Sequence, residues 1–159
     1  MILPLQTKSL QLVPRTRDEV RAFIDHMPPE MRKEVSATWL AMLEASAEID
    51  PWIHGFTLIH PDSGTAVGSC GFKGPPDAQG MVEISYAIEP EHQGRGYATE
   101  AAAALVGYAF GSDAVHFVRA HTLPLPHAST RVLTKCGFRR IGEAIDPDDG
   151  LVWRWEYRT

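Results

Sequence analysis

The sequence has few cysteines and no long apolar run. Its 159 residues include only two cysteines, Cys70 and Cys136, and no C-x-x-C pair. A disulfide framework is therefore excluded, and we expect reduced thiols in a cytoplasmic protein. No apolar stretch approaches the ~20 residues of a membrane-spanning helix. The amino-terminal stretch lacks the basic and apolar segments of a signal peptide, so we expect no such leader.

The chain also has little net charge and no evident cluster of metal ligands. Its formal net charge is −5 at pH 7, which argues against a general nucleic-acid surface. We expect no nucleic-acid partner and no membrane partner, and a homodimer is left open. The nearest histidines are His116, His121 and His127. The first two would point to opposite faces of one strand, so we expect no metal site.

Hydrophobic periodicity predicts a mixed α+β fold. Strands and helices do not alternate strictly, so we expect one domain over residues 1–159, with a mixed, mostly antiparallel sheet flanked by helices. Strands are predicted at 7–14, 52–60, 65–72, 81–88, 115–122, 138–145 and 151–157. Helices are predicted from about 16 to 26, from 29 to before 50, at 99–110 and at 129–135.

A glycine-rich loop, residues 93–98, joins the strand at 81–88 to the alanine-rich helix that follows. Gly94 and Gly96 can adopt positive φ and bring the backbone close to a ligand. The first turn of a helix has N–H groups without a partner inside the helix, and its positive dipole end favours phosphate. The loop is neither a P-loop nor a G-x-G-x-x-G motif. It could be an anion site or a plain strand-to-helix turn.

The loop and its flanks resemble one protein family. The pattern [Gln/Arg]-x-x-Gly-x-[Gly/Ala], filled by Gln93, Gly96 and Ala98, resembles the pyrophosphate loop of the GCN5-related N-acetyltransferases (GNAT). Residues 86–92, 99–101 and 129–138 resemble the family as well, in the same order. The resemblance covers nearly the whole chain from Thr7 onward and implies the GNAT fold.

Within the family, the chain looks most like the RimJ/RimL-like branch, which includes ribosomal-protein N-terminal acetyltransferases. That branch opens on T-x-R-L-x-L-R-P, which matches residues 7–14. Ser9 and Val13 replace the two arginines of the pattern.

The resemblance implies acetyl-CoA as co-substrate and no metal. Its pyrophosphate would be held by backbone N–H groups of the loop, with Arg95 adding a positive charge. The residues expected to contact the co-substrate are Ile88, Gln93, Gly94, Arg95, Gly96, Tyr97, Ala98, Thr99 and His127.

Two residues are predicted to be catalytic. Glu83 lies in a strand between apolar neighbours, where we expect a carboxylate to act as general base, directly or through water. The alternative is a solvated side chain near a strand end. Ser129 resembles the serine of the family's N-x-x-S element and could donate to the departing sulfur, act as a helix N-cap, or both.

Two other family positions are changed. The tyrosine that often serves as the acid is replaced by Leu133. The asparagine of the N-x-x-S element is missing, and His127 either takes over its hydrogen bond to the pantetheine arm, titrates during catalysis, or is a plain surface histidine.

Together, these features predict an N-acetyltransferase. The acetyl group would pass from acetyl-CoA to a primary amine, on a protein N-terminus or a small molecule, by direct attack in a ternary complex. The alternative is a non-catalytic acyl-CoA-binding or sensing module of the same fold.

Overall fold

A computed structural model of the chain describes residues 4–147 and 149–158. Within these residues, one sheet has the strand order β1-β2-β3-β4-β5-β6-β8-β7. All neighbours pair antiparallel except β5 and β6, which are parallel. The predicted α+β class with a mostly antiparallel sheet is confirmed. The strands are β1 (Leu5–Gln6), β2 (Gln11–Pro14), β3 (Phe56–His60), β4 (Thr65–Phe72), β5 (Met81–Ile88), β6 (Phe117–Thr122), β7 (Arg139–Asp146) and β8 (Gly150–Arg158).

Helices pack against this sheet's central strands. The first begins where the sequence predicts, because the Thr16 hydroxyl accepts the N–H of Glu19 and the Glu19 carboxylate accepts the N–H of Thr16. The helices are α1 (Arg17–Asp25), α2 (Pro29–Arg32), α3 (Ala37–Ala45), α4 (Pro51–His54), α5 (Tyr97–Phe110) and α6 (Ala128–Lys135). Helix α4 packs on β4, and α5 packs on β4 and β5. None of the helices in the described ranges combines the length and the apolar character that crossing a membrane requires.

The single helix predicted between residues 29 and 50 is wrong. The chain forms α2 and then α3, because the Ser36 hydroxyl accepts the N–H of Trp39 and caps a new helix. The predicted strand at 52–60 is also wrong in its first half. Asp50 accepts the N–H of Trp52, Pro51 occupies the first turn, and α4 forms instead. Gly55, with φ 69°, ends that helix before β3.

The core lies between α5 and the middle of the sheet. Ala101, Ala102, Leu105 and Ala109 of α5 have no exposed surface, so the alanine-rich helix turns its small residues toward the sheet. These small side chains allow the helix to lie close to β4 and β5. The end of β5 that leads into the glycine loop is therefore held firmly from one side.

The parallel pair β5–β6 is short, and this creates the site. Pairing extends only from Met81 to Glu83 on β5. Farther along, residues 84–88 pair with β4 but not with β6. The two strands separate there, and the backbone of β5 faces an opening rather than a neighbouring strand.

Candidate active site

A cleft of about 460 Å³ lies where β5 and β6 separate. One wall is the end of β5, at Tyr86, Ala87 and Ile88. The glycine loop with the start of α5 forms a second wall, and α6 forms a third. A strand edge, a helix amino terminus and a glycine turn thus converge on one space.

The glycine loop has the backbone geometry that the sequence predicts. Gly94 and Gly96 adopt φ of 79° and 83°, and a Cβ at either position would have no atom within 4 Å. Gly96 is the N-cap of α5. No described residue accepts a hydrogen bond from the N–H of Tyr97, Ala98 or Thr99. The loop therefore leaves both space and backbone donors for an anion at the positive end of a helix of 14 residues.

Seven of the nine predicted co-substrate residues line this cleft, and the two exceptions are Arg95 and His127. Gln93 uses its side-chain amide to donate to the Ile88 carbonyl at 3.0 Å, which ties the loop to the strand. The Tyr97 side chain is 8% exposed and packs in the core, so only its backbone faces the cleft. Arg95 and His127 are not in the lining. Those that line it are Ile88, Gln93, Gly94, Gly96, Tyr97, Ala98 and Thr99.

Helix α6 adds two cations that sequence reasoning missed. Arg131 and Lys135 line the cleft, one helical turn apart. Their i, i+4 spacing on the helix following His127 was the signal that could have revealed them. They give the cleft a positive wall opposite the glycine loop.

Ser129 lies on the same helix, inside the cleft, next to Tyr86. The Tyr86 hydroxyl donates to the Ser129 carbonyl across 3.5 Å. Burial raises the pKa of Tyr86 to about 12, and a hydrogen bond with the Ser129 side chain offsets this only in part, so the phenol keeps its proton. The possibility that Ser129 is the N-cap is wrong, because α6 is capped by His127. The Ser129 side chain also hydrogen-bonds Tyr86, and Ser129 lines the cleft, where its hydroxyl can reach a ligand.

His127 is held outside the cleft. Its Nδ1 is 2.7 Å from the Leu125 carbonyl oxygen, a geometry in which the ring N–H donates. Its backbone N–H donates to the Thr130 hydroxyl at 3.0 Å. The exposed Nε2 is left as the ring atom that could reach a ligand, so contact with the pantetheine arm stays a prediction.

A second, larger cavity of about 630 Å³ meets the cleft at Tyr86 and Ala87, which line both. Its walls come from α1, from α3 and the residues before it, and from β4 and β5. Trp39 lines it. Trp52 does not, because its ring packs against Phe72 and Tyr108 at centroid distances of 4.7 and 5.2 Å.

Glu83 is not in the lining of either cavity, but it binds Lys73, which lines the second one, and it belongs to a polar network. Its Oε2 is 2.9 Å from the Lys73 Nζ and 3.0 Å from the His121 Nδ1. The expected apolar surroundings are wrong, because the neighbours Val82 and Ile84 point to the opposite face of the strand. The alternative of a solvated side chain is wrong too, since the Glu83 side chain is 15% exposed.

His121 connects Glu83 to a further cation. The Arg154 Nε–H donates to His121 Nε2 at 3.1 Å. Arginine has no acceptor, so Nε2 carries no proton and Nδ1–H donates to Glu83. The network therefore runs from Arg154 through a neutral imidazole to a carboxylate that also binds Lys73. No described residue hydrogen-bonds Glu83 Oε1, which is the atom left to receive a proton.

The two thiols lie outside this chemistry. Both cysteines are free. Burial raises the pKa of Cys70 to about 12 and also raises the pKa of Cys136, so neither is a ready nucleophile. Among the described residues, no group of three or more His, Cys, Asp or Glu side chains is placed to hold a metal ion.

Comparison with known proteins agrees with this architecture. The sequence pattern of the acetyltransferase (GNAT) domain matches residues 6–139. A Bacillus subtilis (strain 168) protein named as an uncharacterized N-acetyltransferase, YjdG, is 35% identical over 89 residues, which is 56% of this chain and 51% of that protein. The chain thus matches over about half the length of the curated relatives.

Solved structures share the whole fold at low sequence identity. Ribosomal-protein-S5-alanine acetyltransferase from Vibrio fischeri has a TM-score of 0.70 and 13% identity, covering 99% of this chain and 97% of that one. An aminoglycoside acetyltransferase solved with coenzyme A has a TM-score of 0.66 and 17% identity, covering 95% of both chains. With a family match that spans most of its length, the chain belongs to the acetyltransferase (GNAT) domain family.

Proposed function

We propose that the protein is an acetyl-CoA-dependent N-acetyltransferase that acetylates a primary amine, on a small molecule or a protein N-terminus. The observation that carries the proposal is the meeting of two cavities at Tyr86 and Ala87. One has the features of a phosphate site, and the other is large enough for an acceptor. An acetyl group at their junction would be reachable from both sides.

The cleft fits coenzyme A. The free N–H groups at the start of α5 would hold the pyrophosphate, and Arg131 and Lys135 supply positive charge for phosphate oxygens. The unpaired edge of β5 at residues 84–88 would hydrogen-bond the amides of the pantetheine arm, as an added strand does. An aminoglycoside acetyltransferase of the same fold was solved with coenzyme A, which supports coenzyme A as the molecule bound here.

The chemistry that this site would perform is a direct acyl transfer. The amine nitrogen forms a bond to the thioester carbonyl carbon, the carbon–sulfur bond breaks, and coenzyme A leaves as the thiolate. Glu83 Oε1 receives a proton from the amine, directly or through water. The Ser129 hydroxyl donates a hydrogen bond to the departing sulfur.

The nature of the amine decides how much the base must contribute. The α-amine of a peptide N-terminus has a pKa of about 7.7–8.0 and a lysine amine about 10.4. At pH 7, deprotonation costs about 1 kcal/mol for the first and on the order of 4–5 kcal/mol for the second. Glu83 already binds two donors, and such donors stabilise a carboxylate and make it a weaker proton acceptor. The site therefore suits the less basic amine better. We also propose a cytoplasmic location, with which the free thiols are compatible.

Amine-dependent release of coenzyme A tests the function. Acetyl-CoA binding is first measured by calorimetry, and free thiol is then followed with a panel of primary amines. A transferase releases coenzyme A only when an amine is present, and the acetylated amine appears in equal amount by mass spectrometry. Tight binding without release for any amine would favour the alternative, a non-catalytic acyl-CoA-binding module.

A further inference from the structure

Resting on the proposed function, we propose that the acceptor is an apolar amine that also carries a carboxylate, and that Arg15 binds this carboxylate. The acceptor would belong to the class of apolar free amino acids, and not to the polyamines or aminoglycosides. The proposal depends on the walls, the charges and the unpaired groups of the second cavity.

The walls of this cavity are largely apolar. Val20, Phe23 and Ile24 line it from α1, and Trp39 and Met42 line it from α3. Phe23 is 59% exposed although it is a large aromatic residue. A cavity of about 630 Å³ with such walls fits the apolar body of a small molecule.

The charges of the cavity have one sign. Among the described residues that line it, Arg15 and Lys73 are cationic and none is Asp or Glu. An acceptor with several ammonium groups would meet like charges and find no carboxylate beyond the one that serves the reacting amine. Glu83 uses Oε2 to bind Lys73 and His121, which leaves only Oε1 for that amine, and Glu19 accepts the N–H of Thr16.

Arg15 is the cation left for a ligand. Lys73 is bound to Glu83 at 2.9 Å, whereas no described residue forms a hydrogen bond or ion pair with the Arg15 guanidinium. Its Cζ lies 5.7 Å from the centre of the Phe23 ring. Burial lowers the pKa of Arg15, which Glu19 offsets only in part. A carboxylate would supply the two acceptors that a planar guanidinium fork matches.

The neighbouring His54 does not compete for this role. The Asp50 N–H donates to its Nδ1 at 3.0 Å, so Nε2 carries the proton and donates to the Ser46 hydroxyl oxygen at 2.8 Å. Burial lowers the pKa of His54 as well. The imidazole is thus neutral, 3% exposed and fully engaged, and anion recognition in the cavity rests on Arg15.

Matched pairs of amines test the inference. L-Phenylalanine and phenethylamine differ by one carboxylate, as do L-leucine and isoamylamine, and spermidine represents the polycations. We expect kcat/KM to be about 10- to 100-fold higher for the carboxylate member of each pair, the range for a hydrogen bond to a charged group. Spermidine should be the poorest acceptor.

Variants assign the preference to Arg15. Arg15→Gln should reduce the ratio within each pair to near one, and Arg15→Lys should keep part of it, because a positive charge remains. The matched control is Arg21→Gln, on an exposed arginine of α1 that pairs with Glu44 at 2.6 Å. Its ratio should equal that of the wild type. Circular dichroism verifies that each variant is folded.

Two results would overturn the inference while leaving the transferase intact. One is that the wild-type protein acetylates spermidine or the decarboxylated amines faster than the amino acids, a comparison that needs no variant. The other is an unchanged ratio in folded Arg15→Gln. Absence of coenzyme A release with every amine, in a protein that binds acetyl-CoA, would instead overturn the proposed function and this inference with it.

Discussion

Replacing Glu83 by glutamine removes its proposed role as proton acceptor while keeping its structural hydrogen bonds. The carboxylate uses Oε2 to accept from Lys73 and His121, and its Oε1 binds no described residue. A glutamine can turn its oxygen toward the two donors and place its NH₂ group where Oε1 was. The network then keeps one acceptor, while the atom that would take the amine proton is gone.

We expect the loss to appear in catalysis and not in stability. Removing a general base lowers kcat/KM by about 10²–10⁴-fold, which corresponds to about 2.7–5.4 kcal/mol of transition-state stabilisation. The affinity for acetyl-CoA should change little, because Glu83 does not line the cleft. The melting temperature should also stay close to that of the wild type.

The assay is the initial rate of coenzyme A release over a range of amine concentrations, which gives kcat/KM, measured from pH 6 to 9. Glu143→Gln is a matched control, since Glu143 is an exposed strand residue far along the sheet on β7. Its rates should equal those of the wild type. Equal activity of Glu83→Gln and wild type across this pH range would refute the role of Glu83 as base.

Three further predictions test the cleft and the sheet. Gly96→Val forces a branched side chain onto φ 83° and should raise the acetyl-CoA Kd, measured by calorimetry, at least about tenfold. The control is Gly107→Ala, inside α5, where a Cβ meets open space. It should leave the Kd unchanged. Ser129→Ala should lower kcat by about 10- to 100-fold with little change in the acetyl-CoA Kd. His127→Asn should leave both kcat and Kd close to the wild-type values. Loss of turnover in His127→Asn would contradict the assignment of Ser129 as the donor to the departing sulfur. Burial opposes the ionisation of Glu156, but hydrogen bonds from two arginines outweigh it and hold its pKa below the usual 4.5. The stabilisation that follows is present above pH 4.5 and is lost as pH falls through the lowered pKa, so Glu156→Gln should be less stable than wild type at pH 7 in urea unfolding, with a difference that shrinks in acid.

Local signals in the sequence were sufficient for the frame of the fold. The apolar run within 81–88, the glycine pair that follows and the alanine-rich stretch after it predict strand, turn and helix, and the structure has all three. The errors came from side-chain caps. Ser36 and Asp50 each accept a backbone N–H two or three residues ahead, and such a hydrogen bond begins a new helix where an apolar pattern alone suggests continuity or a strand.

The site was less predictable because its contacts join distant parts of the chain. His121 meets Glu83 from 38 residues away, and Arg154 meets His121 from 33 residues away. The periodicity of apolar residues along the chain does not predict contacts between residues so far apart. It follows from sheet order, since β5, β6 and β8 lie side by side, and that order is fixed by long-range strand pairing.

The central claim is that acetyl-CoA and the amine occupy two cavities that meet, so that the acetyl group crosses directly. Initial rates measured over a grid of acetyl-CoA and amine concentrations test this claim most directly. Direct attack in a ternary complex predicts double-reciprocal lines that intersect. Parallel lines, with release of one equivalent of coenzyme A before any amine is added, would show a covalent acetyl-enzyme instead and would contradict the account.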